Sequence, residues 1–525
     1  MWRLTAAGLL LGAALLGSVG ARAENVLRWA SLSETLTFDP HSAVHSATIA
    51  EHRQVYESLV DHDASYRLEP ALATNWRLLD PLTWEFDLRR GVTFHDGTPF
   101  TAEDVVFSLS RARASPFRAL VPQVTSVEAV GDHAVRIGTA APNPDLPKLL
   151  YLPFIMSNAW AERHGALAHA PFDDAEVTFV ERHANGTGPF RLESFEPGVG
   201  TVVTRNRDWW GLGGTPHNID RVEHAWIADR ARGLAALLEG RIDLLLTPPL
   251  DQLGRIEAAP GLKVERTDEF RIIYLGLDQG SSELRSSDVR GANPFKDRWV
   301  RRAVYQAIDV EAIRTDVMHG LSRPTGVLIP PRDNGWSEEL DRRLPYDPAS
   351  ARALLAEAGY PGGFAVTLDC PNDRYVNDAA ICDAVAAMLG RVGIKVTVDA
   401  RPFREVFPKI NKRQTDFYLF GWFSGTFDAQ TNFLNLVRSD APFNATGYAN
   451  PLVDGMIDAI GAEVSTYARD GMIEEVWRTV RDDLVHVPLH QQPLAWAMRD
   501  TLDLPIDAGD VPRFRLARLK DVPAR

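Results

Sequence analysis

The sequence predicts an α/β protein with more than one domain. Strand-like and helical runs alternate along most of the 525 residues, which favours α/β lobes over a helix bundle or a β-sandwich. One unit is clear: a strand at residues 223–227, a helix at 230–239 that Gly240 is placed to end, and a strand at 242–246. This β-α-β order indicates a mostly parallel sheet. About 500 residues are too many for one hydrophobic core, so we expect two or three domains.

The first 23 residues have the pattern of a secretory signal peptide. Arg3 precedes an apolar run at 4–19, and Ala21-Arg22-Ala23 fits a small-x-small cleavage site, so we expect cleavage after Ala23. The apolar run is short for a membrane span, which favours a cleaved signal over an anchor. No Cys follows the run, which argues against a lipid anchor at the processed N-terminus. The sequence therefore predicts a mature protein in the periplasm of a Gram-negative cell.

The acidic composition excludes one class of partner. The chain has 56 Lys and Arg against 70 Asp and Glu, a formal net charge of −14, and loss of two arginines with the signal peptide takes this charge to −16. Nucleic-acid binding needs clustered Lys and Arg, so no nucleic-acid partner is expected. The acidity by itself indicates solubility.

Residues 68–113 are the most informative block of the chain. Trp84 and Phe86 alternate with acidic residues, as a half-buried strand requires. A capping box over 101–104 then opens an apolar helical run. The block as a whole contains two predicted strands and a turn, at 76–79, 82–88 and 95–97. The pattern of apolar and polar residues alone predicts a compact α+β structure for this block and indicates no activity.

The second half of the chain repeats the alternation of strands and helices. Asp347-Pro348 is a clear helix start, with an N-cap followed by Pro at the first helical position, and Gly359 ends that helix. The other predicted strands lie at 271–278, 364–369, 394–400, 416–422 and 486–500, and the other predicted helices at 297–308, 378–392 and 470–483.

Several of these segments resemble the family 5 extracellular solute-binding proteins, the oligopeptide, dipeptide and nickel-chelate binders of ABC importers. The resemblance runs from about residue 27 to 499. It rests on the block at 68–113 and on NGTGPFRLESF, RRAVYQAID, YDPASARALLAEAGY and YANPLVDGMIDA, which begin at residues 185, 301, 346 and 448. Each string is weak alone, and their order and spacing carry the resemblance.

The resemblance implies a two-lobed α/β periplasmic binding protein, type II-like, with an extra N-terminal subdomain and a ligand cleft between the lobes. Lobe I would comprise residues 24–265 and 484–525, with the subdomain inserted at about 50–185. Lobe II would comprise residues 266–483. Two crossing segments, near 265–270 and 484–490, would form the hinge.

Enzyme signatures are absent from the sequence. It contains no Walker A loop, no GxSxG elbow, no HExxH and no complete GxGxxG. Ser424 in GWFSG is one position away from the elbow pattern and is interpreted as a loop hydroxyl, because no positioned base accompanies it. We therefore predict that the protein is not an enzyme.

The strongest candidate for ligand contact is the loop after the strand at 416–422. The resemblance implies that Gly421 and Trp422 line the cleft, and that an acidic residue shortly after them holds the α-amino group of the ligand. Here Gly425 or Thr426 occupies the place of that acid, and Asp428 arrives later. Either Asp428 substitutes after a local shift of the loop, or the amine anchor is absent; Ser424 and Thr426 are further candidate contacts.

Arg374 and the only two cysteines lie close together. Arg374 resembles an Arg that contacts the ligand carboxylate in dipeptide binders, which a guanidinium can hold bidentately; an exposed loop Arg is the alternative. Cys370 and Cys382 in a secreted chain predict a disulfide, since CxxC spacing and a nearby His are missing. Such a bond would brace the loop and add about 2–3 kcal/mol.

Two remaining candidates are weaker. His41 and His45 would share a face of a helix, and His52 follows, which suggested a metal pair. Residues 37–40 resemble a loop and no third ligand is identified, so no metal and no cofactor are predicted, and His41 is kept as a ligand contact. Phe117 is placed at the cleft mouth by family analogy.

The function that these observations predict is that of the periplasmic substrate-binding component of an ABC importer. It would capture peptides or peptide-like solutes and deliver them, as a monomer, to a permease in the inner membrane. A receptor for a nickel chelate, an opine or an oligosaccharide is the alternative on the same fold. A secreted hydrolase and a periplasmic chaperone are alternatives of other classes.

Overall fold

The protein is a two-lobed α/β structure. The computed structural model describes residues 24–43, 45–63, 66–121, 123–169, 177–214, 217–331, 333–423, 427–463 and 465–520. The predicted signal peptide and the predicted loop contacts Ser424 and Thr426 lie outside these described residues.

The strands follow, in chain order, the alternation that the sequence predicted. They are β1 (Val26–Ser31), β2 (Val60–His62), β3 (Leu68–Pro70), β4 (Ala73–Asp80), β5 (Thr83–Leu88), β6 (Val124–Ala129), β7 (Ala134–Thr139), β8 (Phe190–Glu196), β9 (Gly200–Arg205), β10 (Arg221–Trp226), β11 (Leu244–Leu246), β12 (Leu262–Leu277), β13 (Arg323–Pro324), β14 (Ala365–Pro371), β15 (Lys395–Arg401), β16 (Phe417–Trp422), β17 (His486–Arg499), β18 (Leu502–Asp503) and β19 (Arg518–Leu519).

The helices pack on the faces of these strands. They are α1 (Ser46–Val55), α2 (Ala102–Arg113), α3 (Leu146–Leu149), α4 (Asn158–Arg163), α5 (Phe179–Arg182), α6 (Arg230–Leu238), α7 (Leu253–Glu257), α8 (Arg298–Ala307), α9 (Val310–Ala312), α10 (Pro348–Glu357), α11 (Asp378–Gly390), α12 (Phe403–Asn411), α13 (Ala429–Asn432), α14 (Pro451–Ala462) and α15 (Thr466–Asp482). No helix within the described ranges is both long and apolar enough to cross a membrane.

A single sheet runs through both lobes. Eleven of the described strands belong to it, in the order β15-β14-β16-β12-β17-β11-β1-β10-β9-β8, with β13 paired to β17 off this path. The predicted β-α-β unit is confirmed, because β10 and β11 flank β1 and both pair with it in parallel. In lobe II, β14 and β15 also pair in parallel, with α11 between them in sequence.

The N-terminal subdomain has its own small sheet. Its strands run β4-β5-β7-β6, and the predicted hairpin forms between β4 and β5. The predicted capping box is also confirmed, since the Thr101 backbone N–H donates to the Asp104 carboxylate at 2.9 Å. Buried apolar side chains such as Phe86 and Val105 form a separate core there.

The two longest strands, β12 and β17, connect the lobes. In lobe I, β12 pairs with β17 from Leu262 to Asp268, and in lobe II the pairing resumes at Ile272, opposite Gln491. The ladder is irregular between these positions, so the crossing lies at about residues 269–271 of β12. On β17 it lies at 491–493, beyond the predicted segment at 484–490, because the first residues of β17 are still paired inside lobe II.

Candidate ligand-binding cleft

A cavity of about 460 Å³ lies between the lobes. Arg230 and residues 247–251 form its lobe I wall, residues 375–380 form its lobe II wall, and Pro493 and Ala495 of β17 form its floor. Ligand pockets usually measure roughly 300–1,000 Å³, so this cavity has room for a small solute. Because the floor is made by the crossing strand, movement of one lobe against the other would change the shape of the cavity.

Arg374 lies on the loop between β14 and α11, beside this cavity. Its guanidinium is 5.5 Å from the ring centre of Phe403 and 5.8 Å from that of Tyr375. Its side chain is exposed, and no acidic side chain of the described residues forms an ion pair with it. Desolvation by the surrounding walls and the charge of Arg271 both lower the pKa of Arg374. Arg374 is therefore a cation without a carboxylate partner.

The opposite lobe approaches Arg374 through His45. Burial lowers the pKa of His45, and the positive charge of Arg374 lowers it further. His45 precedes α1 of lobe I and Arg374 belongs to lobe II, so their electrostatic interaction spans the cleft. His45 therefore faces Arg374 as a neutral imidazole.

The predicted disulfide is present and fixes the base of the Arg374 loop. Cys370 at the end of β14 and Cys382 in α11 are joined, with their Cα atoms 6.5 Å apart. Asp378 holds the loop from inside, because its carboxylate accepts the backbone N–H groups of Arg374 and Tyr375, each at 3.0 Å. The loop is thus constrained at both ends before any ligand arrives.

Replacing Cys370 and Cys382 together by Ser is expected to lower the free energy of unfolding by about 2–3 kcal/mol, because the unfolded chain regains the entropy that the crosslink removed. Urea denaturation with and without reductant measures this. Reduced wild type should match the double variant, and the variant should not respond to reductant. Equal stability of oxidised and reduced wild type would contradict the prediction.

Gly421 and Trp422 end β16 next to the same loop. A Cβ on Gly421 would lie 2.6 Å from the Tyr375 ring and 3.0 Å from Arg271 Cδ, so only glycine allows these side chains to approach the strand. The Trp422 indole N–H donates to Asn432 Oδ1 at 2.9 Å, and its ring packs against the lobe II core. Gly421 therefore lets Tyr375, a residue of the cavity wall, pack directly on β16, and Trp422 holds the start of the following loop.

Asp428 belongs to a buried charged bridge and not to the cleft surface. Its carboxylate accepts two N–H groups of Arg469 at 2.6 and 2.7 Å and one from Asn334 at 2.6 Å, and it pairs with Lys148 at 3.2 Å. Arg469 also pairs with Asp145 at 2.5 Å. We call Asp145, Lys148, Asp428 and Arg469 the charged bridge; it joins the N-terminal subdomain to lobe II.

The pKa values of the two carboxyl groups in the charged bridge are shifted in opposite directions. The cationic partners hold the pKa of Asp428 well below its usual range, although burial opposes them. Burial and the adjacent charge of Asp428 raise the pKa of Asp145 to about 6, against the opposite effect of Lys148 and Arg469. Asp428 is thus ionised and fully occupied by neighbours, which argues against the predicted role as the amine anchor.

The predicted contacts His41 and Phe117 are both fully buried inside lobe I and its subdomain. His41 Nε2 donates to the Phe154 carbonyl at 2.9 Å, and Nδ1 lies 3.1 Å from the Arg111 guanidinium, which itself pairs with Asp39. The placement of both residues at the cleft was wrong, because apolar and charged neighbours enclose them. Burial lowers the pKa of His41 to about 3, so it stays neutral. No group of three or more metal-ligating side chains occurs in the described part of the chain.

Sequence reasoning missed a polar cluster at the crossing of the lobes. The Glu269 carboxylate accepts Arg271 Nε at 3.0 Å and also bonds the Gln492 side chain. The Gln491 side chain donates to the Glu269 carbonyl at 2.8 Å. These residues sit inside strand patterns, and only the pairing of β12 with β17 brings them together, so no local signal could identify them.

Two lobes joined by paired crossing strands, with a polar cleft between them, define a solute receptor of the bacterial cell envelope. The family model of the bacterial extracellular solute-binding proteins, family 5, matches residues 67–444. The chain belongs to the family 5 extracellular solute-binding proteins. It is therefore a substrate-binding component of an ABC importer, and its family and fold are those of binding proteins.

Relatives in sequence and in structure agree with this assignment. The chain is 26% identical to heme-binding protein A of Haemophilus influenzae over 473 residues, 83% of this chain and 82% of that protein. It is 26% identical to the glutathione-binding protein GsiB of Escherichia coli over 441 residues, 81% of each. Its fold matches DppA of Helicobacter pylori in complex with the peptide STSA, with a TM-score of 0.78, 22% identity and coverage of 95% and 98%. It also matches CtaP of Listeria monocytogenes, with a TM-score of 0.82, 20% identity and coverage of 95% and 100%.

Proposed function

We propose that this receptor captures a peptide or a peptide-like solute that carries a carboxylate. The carboxylate is held by Arg374, and the solute lies in the cavity between the lobes, beside Gly421 and Trp422. Ser424 and Thr426 follow directly on this loop and are proposed as further contacts. The observation that carries the proposal is that the Arg374 guanidinium, on a constrained loop, forms no ion pair with an acidic side chain of the described residues.

Two physical arguments support this ligand class. A guanidinium that no carboxylate of the described residues neutralises can hold the carboxylate of a ligand through two parallel hydrogen bonds. The loop is already ordered by the disulfide and by Asp378, so little conformational entropy is lost on binding. Relatives agree with the proposal, because glutathione is a tripeptide with free carboxylates and DppA of Helicobacter pylori holds a tetrapeptide.

The proposal also covers the export of the protein and the delivery of its ligand to the permease. The precursor is exported and cleaved after Ala23, and the monomeric receptor works in the periplasm. Ligand binding favours the closed arrangement of the lobes about residues 269–271 and 491–493, because only that arrangement contacts the ligand from both sides. The closed receptor then docks on its permease in the inner membrane. It releases the solute chemically unchanged.

An opine is the second candidate ligand. One structural neighbour, AgaA of Agrobacterium tumefaciens, holds agropinic acid, at a TM-score of 0.76 and 21% identity. Opines carry carboxylates, as peptides do, so Arg374 would serve either ligand.

Mass spectrometry of the denatured, freshly purified periplasmic protein tests the proposal. We expect a series of short peptide masses released from the protein. A single carboxylated mass of another kind would favour the opine. A neutral sugar or a nickel complex would overturn the proposed ligand class while leaving the receptor assignment in place.

A further inference from the structure

A second cavity, of about 600 Å³, lies in lobe II where α8, the end of α15 and the segment 339–345 meet. None of the residues that line it also lines the cavity between the lobes. Its lining contains five arginines and two acids: Arg298, Arg302, Arg342, Arg343 and Arg481, with Glu339 and Asp482. The formal charge of the lining is thus +3, on a chain whose net charge is −14. We call this cavity the arginine pocket.

Most of these arginines have no acidic partner. Within the described ranges, four of them form no ion pair with an acidic side chain: Arg298, Arg302, Arg342 and Arg343. Arg481 has a carboxylate nearby, with 3.6 Å between its Nε and Asp482 Oδ1. A surface pair of this kind contributes at most about 1 kcal/mol. The positive charge of the pocket is therefore available to a ligand.

Arg343 is held in a fixed position at this pocket. Its guanidinium lies 4.4 Å from the Tyr305 ring centre and donates to the backbone carbonyls of Thr325, at 2.8 Å, and Pro488. Its Nη2 atom is buried and has no hydrogen-bond partner among the described residues. Burial lowers the pKa of Arg343, although Tyr305 and Asp341 oppose this effect. Neither an ion pair nor a full set of hydrogen bonds thus compensates the charge of Arg343.

Contacts within the protein also position other arginines of the pocket. Arg298 and Arg302 are one helical turn apart on α8 and so share a face of that helix. Their guanidinium groups lie 5.4 and 6.0 Å from the ring centre of Trp299. Arg481 Nη1 donates to the Glu339 carbonyl at 3.1 Å, which ties α15 to the segment before α10. These contacts exist without a ligand, so they reduce the conformational entropy that binding would cost.

We propose that the arginine pocket binds a phosphate group that carries more than one negative charge. Guanidinium groups match phosphate oxygens through paired hydrogen bonds, and one phosphate has enough oxygens to accept from several guanidinium groups. A carboxylate has only two oxygens and would leave most of the five arginines without an acceptor. The volume falls within the range of roughly 300–1,000 Å³ that is usual for ligand pockets. This site is separate from the cleft and does not depend on the proposed function.

Phosphate groups of this kind occur in soluble phosphates and in lipid headgroups, and the test has one arm for each source. Pyrophosphate is the soluble probe, and isothermal titration calorimetry at low ionic strength measures its binding. Vesicles of phosphatidylcholine with phosphatidic acid are the lipid probe in a co-sedimentation assay, with vesicles of phosphatidylcholine alone as the blank. Tricarballylate, which carries three carboxylates and no phosphate, shows whether phosphate or only charge is recognised.

The pocket variant combines Arg298→Gln with Arg302→Gln, which removes two of the five cations and keeps polar side chains. We expect it to bind the phosphate probe about 10- to 100-fold more weakly than wild type, because charge-assisted hydrogen bonds are lost. The control combines Arg352→Gln with Arg391→Gln, which removes the same charge from exposed positions of lobe II outside the lining of the pocket. The control should bind the probe like wild type, and melting temperatures verify that both variants are folded.

Each outcome supports or overturns the site. Binding of pyrophosphate that the pocket variant loses and the control keeps would identify a soluble phosphate as the ligand. Binding only to the vesicles with phosphatidic acid, with the same dependence on the variants, would identify a lipid headgroup. The site is overturned if wild type binds neither probe, if the pocket variant binds like wild type, if the control loses as much, or if tricarballylate binds as tightly as pyrophosphate. These results leave the peptide receptor in place, because its ligand is measured separately by mass spectrometry.

Discussion

Arg469→Met is expected to lower the free energy of unfolding by about 3–5 kcal/mol. Removing one partner of a buried ion pair leaves the other charge uncompensated. In this variant Asp428, which is fully buried, would lose its bidentate partner Arg469 while its contact with Lys148 remains. Asp145 would lose one of its two cations as well. Urea denaturation at pH 7 measures the change.

The pH dependence provides an internal check on this explanation. The lowered pKa of Asp428 means that its ion pairs stabilise the wild type above the unfolded value near 4, and that this contribution fades as the pH falls toward the folded value. The difference between wild type and Arg469→Met should therefore shrink at acidic pH. Arg478→Met is the control, since Arg478 lies on the same helix and pairs with Glu474 and Glu475 at the surface. Similar losses in both variants would contradict a special role for the charged bridge.

The charged bridge is also expected to affect closure of the cleft. Asp145 and Lys148 flank or lie in α3 of the subdomain, whereas Asp428 and Arg469 belong to lobe II. Their contacts exist only when the two bodies meet, so they stabilise the arrangement described here over a more open one. A large destabilisation in Arg469→Met would thus be accompanied by weaker ligand binding, even though Arg469 does not line the cavity.

The sequence predicted the elements of the fold well because their signals are local. The capping box at Thr101, the Asp347-Pro348 start of α10 and the β-α-β unit around β10 and β11 each depend on neighbouring residues. On β17 the crossing between the lobes lies closer to the C-terminus than the sequence predicted. No local signal marks the position at which one continuous strand passes from one lobe to the other.

The candidate site was predicted less well, because burial and long-range pairing decide it. Arg374 and Gly421 lie beside the cleft, and each belongs to a short sequence segment that resembles the family. Asp428 has the residue type of an amine anchor, but Arg469, more than 40 positions later, already occupies it. His41 and Phe117 have plausible chemistry for a ligand contact and are enclosed by other segments.

Arg374→Gln is expected to weaken binding of a ligand with a free carboxylate by about 10- to 100-fold, because charge-assisted hydrogen bonds to one group contribute about 1.5–3 kcal/mol. Gln keeps a polar side chain but has neither the charge nor the fork of donors. The folded state should change little, since the Arg374 side chain forms no ion pair with the described residues and the loop is held by backbone bonds to Asp378. Native mass spectrometry with two equimolar tripeptide pools, one with free termini and one C-amidated, measures binding to wild type and to the variant.

The comparison of pools decides whether Arg374 recognises a carboxylate or only shapes the loop. If Arg374 recognises the carboxylate, amidation of the peptides should weaken their binding to wild type about as much as Arg374→Gln weakens binding of the free peptides. The variant should then bind free and amidated peptides with equal affinity. If Arg374 only shapes the loop, the substitution should weaken binding of the free pool and of the amidated pool by the same factor. Arg391→Gln is the matched control, because Arg391 lies on the same lobe at the C-terminal end of α11, whereas Arg374 precedes the N-terminal end of this helix. A variant that still prefers free over amidated peptides would place the carboxylate elsewhere in the cleft, with Arg271 as the next cation to substitute.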